Sequence, residues 1–311
     1  MHAVELVLII LGLSLFEVIS SIDNAVINAE VLGTMSERAR KWFLLWGMLV
    51  AVFLVRGLLP FLILWMSNPQ MGAGDAFRMM VHPDPGIMAA VEKSAPVLLA
   101  GGGTFLVFLF FHWFFLEPKN YGLRGERFAL ENGVWFYAVV SVLLSTVVWF
   151  AIQRDPPMAF GAVVGSTAFF ITHGFKENAA RMEERMLHSQ RGMSDLSKLL
   201  YLEVIDATFS IDGVLGAFAF TFAIPLILLG NGIGALVVRQ LTLRNIDQVR
   251  KYKYLKNGAM YSILGLGSVM VLESFGLHVP AWLSPVLTFL TLGWFLWKSV
   301  AELGEARTGT A

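Results

Sequence analysis

Glu17-Val-Ile-Ser-Ser-Ile-Asp-Asn24 and Asp206-Ala-Thr-Phe-Ser-Ile-Asp-Gly213 are one pattern written twice. Both read acid, three residues, Ser-Ile-Asp, then Asn or Gly, at a constant offset of 189. The segments C-terminal to the two copies match as well. Leu45-Trp-Gly47 through Val55-Arg56 parallels Leu228-Leu-Gly230 through Val238-Arg239, at an offset of 183. A weaker echo pairs Gly102…Glu117 with Gly258…Glu273. Each half therefore carries an acid-rich apolar segment and, after it, an apolar segment bearing an arginine.

The surroundings of these motifs say where they sit. The 311 residues are 56% hydrophobic and 15% charged, against about 45–50% and 25% for soluble domains. Formal net charge is zero and there are no cysteines. The balance excludes a nucleic-acid binder, which needs a basic surplus, and a disordered chain. The missing cysteines exclude disulfides, zinc–thiolate sites, iron–sulfur clusters and catalytic thiols. A spanning helix needs about 20 apolar residues. Nine candidate spans meet this, at roughly 3–32, 42–66, 96–116, 133–152, 157–172, 199–222, 224–243, 258–276 and 280–302. The first lacks a basic n-region and is read as a retained helix rather than a cleaved signal.

Seventeen of the 23 Lys and Arg fall in the odd-numbered loops or, as Arg239 does, at their edge, among them Arg38, Lys119, Arg181 and Lys253. The positive-inside rule then places the N-terminus outside and the C-terminus in the cytoplasm. The expected fold is an all-α polytopic membrane protein. Residues 1–172 form a first half, with one repeat in 1–117. Residues 173–198 form a charged helical connector, and 199–311 a second half. Span 1 would run inward and span 6 outward, so the repeats are inverted around a midplane site, as in many secondary transporters. Residues 67–95 read as an outer loop with a short lid helix. The many glycines read as close helix packing.

Carboxylates at bilayer depth cost at least about 2.5–3.5 kcal/mol each. Glu17, Asp23, Asp206 and Asp212 therefore need a cation, a proton or an arginine. Ser14, Glu17, Ser21, Asn24 and Asn28 recur at steps of three and four, which makes one polar stripe. Glu203, Asp206, Ser210 and Gly213 make its counterpart, with Asp23 and Asp212 each one position off. Unwinding at Ser20-Ser21 or Asp212-Gly213 would gather the carboxylates, and irregular backbone at that depth has to line a cavity. Oxygen-only ligation suits hard cations: manganese, magnesium or calcium. Against this stands simple stapling of Glu17 to Arg56 and of Asp206 or Asp212 to Arg239. His112 reads as packing, and His173 as a candidate for gating or proton transfer.

The paired motifs, with Asn231 and Arg239 in span 7, resemble the TerC (tellurium resistance protein C) integral membrane family, in its branch with a longer central cytoplasmic segment. The likeness covers spans 1, 2, 6, 7 and 8. It implies an exporter of divalent cations, with manganese(II) the favoured ion, in a bacterial-type inner membrane. It also implies an ion path lined by Asp23 and Asp212, with Glu17, Asn24, Asp206 and Asn231 around them. Ser21, Asn28, Ser210, Arg56, Arg239 and His173 would support that site. Proton exchange is compatible with it, no tightly bound cofactor is expected, and a homo-oligomer stays open. The alternatives are an exporter of small cationic organic molecules and a non-transporting membrane scaffold in envelope stress. An enzyme is not expected.

Overall fold

A computed structural model describes residues 3–21, 31–47, 57–58, 61–62, 65, 72, 74, 78, 85–188, 194–244 and 251–308. Among them every regular element is helical. The elements are α1 (Ala3–Ser20), α2 (Glu37–Trp42) running into a π-helical turn (Phe43–Gly47), α3 (Pro85–Leu116), α4 (Arg124–Glu131), α5 (Trp135–Arg154), α6 (Pro156–His188), α7 (Asp195–Ala217), α8 (Ile224–Arg244), α9 (Leu255–Ser274) and α10 (Leu283–Thr308). Among the described residues, six stretches are long and apolar enough to cross a bilayer: Ala3–Ser20, Ser94–Leu116, Trp135–Arg154, Pro156–Phe175, Leu255–Ser274 and Leu283–Gly304. Ile224–Val238 is a shorter apolar helix. The chain is a helical membrane protein. On α5 the residues Trp135, Tyr137, Val142, Trp149 and Phe150 are exposed, a face suited to lipid and unsuited to water.

Glycines set the closest crossings. Gly101 lies against Gly161 and Gly165, so α3 and α6 run parallel with their backbones in contact. Gly103 meets Gly267, and Phe110 meets Tyr261, so α3 and α9 run antiparallel. Phe105, Phe108 and Phe169 fill the space beside these crossings with edge-on rings. Gly230 and Gly234 lie against Leu13, Ser14 and Glu17, which makes α1 and α8 parallel. Gly216 against Phe16 and Gly213 against Glu17 make α1 and α7 antiparallel. α9 runs opposite to α1, because α1 lies parallel to α10, with Gly12 against Pro285 and Ile19 clustered with Leu292. It also runs opposite to α10, with Gly258 against Phe295 and Gly265 against Leu287. By these directions the start of α1 and the end of α10 lie at opposite ends of the bundle.

Three sequence expectations change in detail. The fifth span and the start of the charged connector form one helix, α6, through His188. Residues 176–188 are rich in Lys, Glu, Ala, Arg and Met, which favour helix, and contain no proline. The stretch 85–95 of the expected outer loop is the first part of α3, with Pro96 inside that helix. α7 passes through Asp212-Gly213 without a break. Gly213 faces Glu17 there: a side chain on it would sit 2.9 Å from the Glu17 Oε2. The missing side chain serves close approach instead of unwinding.

Candidate functional site

Glu17 stands where three helices meet. The steps of three and four in α1 put Ser14, Glu17 and Ser21 on one face. Glu17 is 1% exposed. The Ser21 hydroxyl donates to its Oε1 at 2.8 Å. A Cβ on Gly213 would lie 2.9 Å from its other oxygen, and one on Gly234 would lie 2.6 Å from its Cβ. The carboxylate thus fits because α7 and α8 each present a bare glycine Cα. One turn earlier the Ser14 hydroxyl donates to the carbonyls of Ile10, at 2.8 Å, and Gly230, at 2.9 Å. That bond ties α1 to α8 beside the acid.

Asn231 comes directly after Gly230 on α8 and is 0% exposed. Neither its amide nitrogen nor its amide oxygen has a hydrogen-bond partner among the described residues. Such a group is unfavourable by roughly 1–3 kcal/mol unless something occupies it. Asp212 and Ser210 are buried on α7, and the Ser210 hydroxyl donates to the Asp206 carbonyl at 2.7 Å. Asp206 is partly buried. It lies seven residues from Gly213, about 10 Å along the helix, so the antiparallel crossing brings Glu17 to 213 and not to 206. Asp23, Asn24, Asn28 and Arg56 lie outside the described residues, as does the side chain of Arg239. The ion pairs considered for the two arginines fall outside the description with them. Among the described residues no three His, Asp or Glu are grouped as ligands for a metal ion.

His173 belongs elsewhere. Its ring sits on that of His112, with centroids 3.6 Å apart, where α6 crosses α3. His112 Nδ1 lies 3.4 Å from Glu117 Oε1, and Lys256 Nζ lies 2.9 Å from Glu117 Oε2. Burial pushes the Glu117 carboxyl up, but the adjacent His112 ring and the Lys256 ammonium outweigh it and hold it at about 2. Nearby, Lys119 caps the end of α3 by donating to the carbonyls of Trp113 and Phe114. Burial lowers its ammonium to about 8, opposed by Glu126 and Glu117.

Glu126, 0% exposed, accepts from the Gly122 N–H at 2.6 Å and from the Asn257 amide at 2.9 Å. Asn257 also donates to the Asn120 carbonyl at 2.8 Å, and Lys298 to that of Gly122. This polar lock joins the segment 117–126 to α9 and α10. Sequence reasoning did not find it.

The model of a family of proteins of unknown function, DUF475, covers residues 22–305. The chain belongs to that family. No curated protein and no solved structure matches it. The matches do not join this DUF475 chain to TerC, and that likeness stays a resemblance of motifs.

Proposed function

We propose that this DUF475 protein is a secondary transporter that exports divalent cations across a bacterial-type inner membrane, with manganese(II) as its ion. The observation that carries the reading is the Glu17 carboxylate, buried at the junction of α1, α7 and α8 and faced by Gly213 and Gly234. A charge placed at such depth is expensive without a task. Ser21, Asp212 and Asn231 stand on the same three helices and offer further oxygens. Asp23, Asn24 and Asp206 are proposed as ligands in the same path, and manganese rests on the TerC resemblance.

Two further observations support nine spans and inverted halves. The described helices alternate in direction as nine spans would, provided one more crossing lies between α1 and α3. The halves also make a matched contact. Ser14 touches Gly230, and their counterparts at offsets 189 and 183, Glu203 and Gly47, touch as well. Alternating access would then rock one half against the other about the acid helices, with the N-terminus outside and the C-terminus inside.

The test is manganese flux in proteoliposomes. Wild-type protein should carry manganese, and Glu17→Gln or Asp212→Asn should abolish the flux while the protein still elutes as a folded species. Unchanged flux in both variants would sink the proposal.

A further inference from the structure

The segment 31–36, just before α2, closes on the first two turns of α7, and the contact has two layers. Outside is a polar rim. The Ser36 N–H donates to Asp195 Oδ2 at 3.4 Å, and the Ser36 hydroxyl donates to the same oxygen. Lys198 Nζ donates to the Thr34 carbonyl and hydroxyl, each at 3.0 Å. Both sides of the rim are fixed locally. Ser36 Oγ accepts the Ala39 N–H as the cap of α2, and the Thr34 hydroxyl donates to the Val31 carbonyl at 2.7 Å. Beneath the rim, Val31, Leu32 and Met35 pack with Leu199 and Leu202 in one buried apolar cluster.

The position of this contact along α7 gives it a meaning. Leu202 precedes Asp212 in the same unbroken helix, by about 15 Å at the rise of an α-helix. Half of a bilayer's hydrocarbon core is also about 15 Å, so an Asp212 at the midplane puts the cluster at a membrane surface. Arg38, Arg40, Lys41 and Lys198 stand beside it in the chain, which by the positive-inside rule makes that surface the cytoplasmic one. An apolar constriction excludes ions while it is closed. The rim bonds above it, exposed at Thr34 and Ser36, exchange for water at little net cost. We infer that the segment 31–36 and the start of α7 form a latch that closes the cytoplasmic end of the ion path, and that this contact parts each time an ion enters from that side. The inference rests on the transporter reading above and adds a gate to it.

The chain has no cysteine, so Ser36→Cys with Asp195→Cys can form only one disulfide, across the rim. In proteoliposomes the oxidised pair should lose manganese(II) flux and regain it on reduction, while each single variant keeps its flux under oxidation. Flux retained by the oxidised pair, with the disulfide verified by mass spectrometry, overturns the latch and leaves the transporter reading standing. Absence of the disulfide under oxidation also overturns it, because the two side chains then do not meet. Thr34→Cys with Lys198→Cys, bridged by a short bismaleimide, is read in the same way and decides the case where the first pair does not fold. Failure of both pairs to fold overturns the latch, since a rim that opens in each cycle has to tolerate loss of its bonds. Where wild-type protein carries no manganese, the transporter reading has failed and the latch falls with it.

Discussion

Gly234→Ala tests the three-helix junction most directly. The added methyl would sit 2.6 Å from the Ser14 carbonyl oxygen, 2.6 Å from Glu17 Cβ and 2.8 Å from Glu17 Cγ. Favourable contacts lie near 3.5–4.0 Å, so α8 would have to retreat from α1 by about 1 Å. A backbone carbonyl cannot swing aside, and Gly230 presses on Leu13 in the preceding turn. Overpacking of this kind destabilises by about 1–3 kcal/mol, and the rigid neighbour places this case at the upper end. Gly213→Ala meets only the tip of Glu17, at 2.9 Å, and should cost less while displacing the carboxylate. Gly293, in α10, has nothing within 4 Å of the same added atom. There alanine should stabilise by up to about 1 kcal/mol through helix propensity. Unfolding the purified protein with denaturing detergent, monitored by tryptophan fluorescence and circular dichroism, reads all three. The expected order of stability is Gly293→Ala above wild type, then Gly213→Ala, then Gly234→Ala. Equal effects at 234 and 293 would show that α1 and α8 do not meet as described.

Two predictions concern the polar lock. Asn257→Leu strips a buried donor from the Asn120 carbonyl and from Glu126. It should lower stability by about 2–4 kcal/mol, since a buried acceptor, one of them charged, loses its partner; a loss under half of the lower figure in the same unfolding assay would contradict the lock. Glu117 is the second case: its folded value of about 2 lies below its ordinary 4.5. A depressed carboxyl stabilises the fold above its unfolded value and loses that contribution as pH falls toward the folded one. Wild-type stability should therefore drop between about pH 4.5 and 2 more steeply than that of Glu117→Gln. Parallel acid profiles would show that Lys256 and His112 do not hold the charge.

The parts of this architecture that could be read in advance are those with a local signature. Glu17 and Ser21 stood out because polar residues at steps of three and four interrupt apolar runs, and Asp212 because it repeats Asp23 in the second copy of the motif. Other parts depend on partners far along the chain. Glu126 lies in Arg-Gly-Glu-Arg-Phe and reads as one more surface acid; only Asn257, 131 residues away, makes it a buried anchor. Gly213 next to Asp212 read as a helix break, because a glycine beside an acid fits both an unwound turn and a close crossing. Nothing short of the position of Glu17 distinguishes them. His112 and His173 each lacked a ligand spacing, and their tilted ring contact follows from the Gly101–Gly165 approach of α3 to α6.

The contacts divide the bundle mechanically. α3, α6 and α9 interlock through aromatic rings and are tied by Glu117–Lys256 and by Glu126–Asn257. Glycine crossings occur in both groups, but α3, α6 and α9 add ring packing and charged ties to theirs, while α1, α7 and α8 meet at Glu17 through Gly213 and Gly234. Smooth glycine faces let helices shift without rotamer changes, whereas interdigitated cores have discrete arrangements. Under the transporter proposal, ion passage past Glu17 should therefore move α1, α7 and α8 against a static block of α3, α6 and α9. Hydrogen exchange of the reconstituted protein, with and without manganese, measures this. Protection should change in 3–20, 195–217 and 224–244 and stay constant in 94–116 and 255–274. A change confined to the second set would reverse the assignment of moving and fixed parts, and the polar lock would then be the gate.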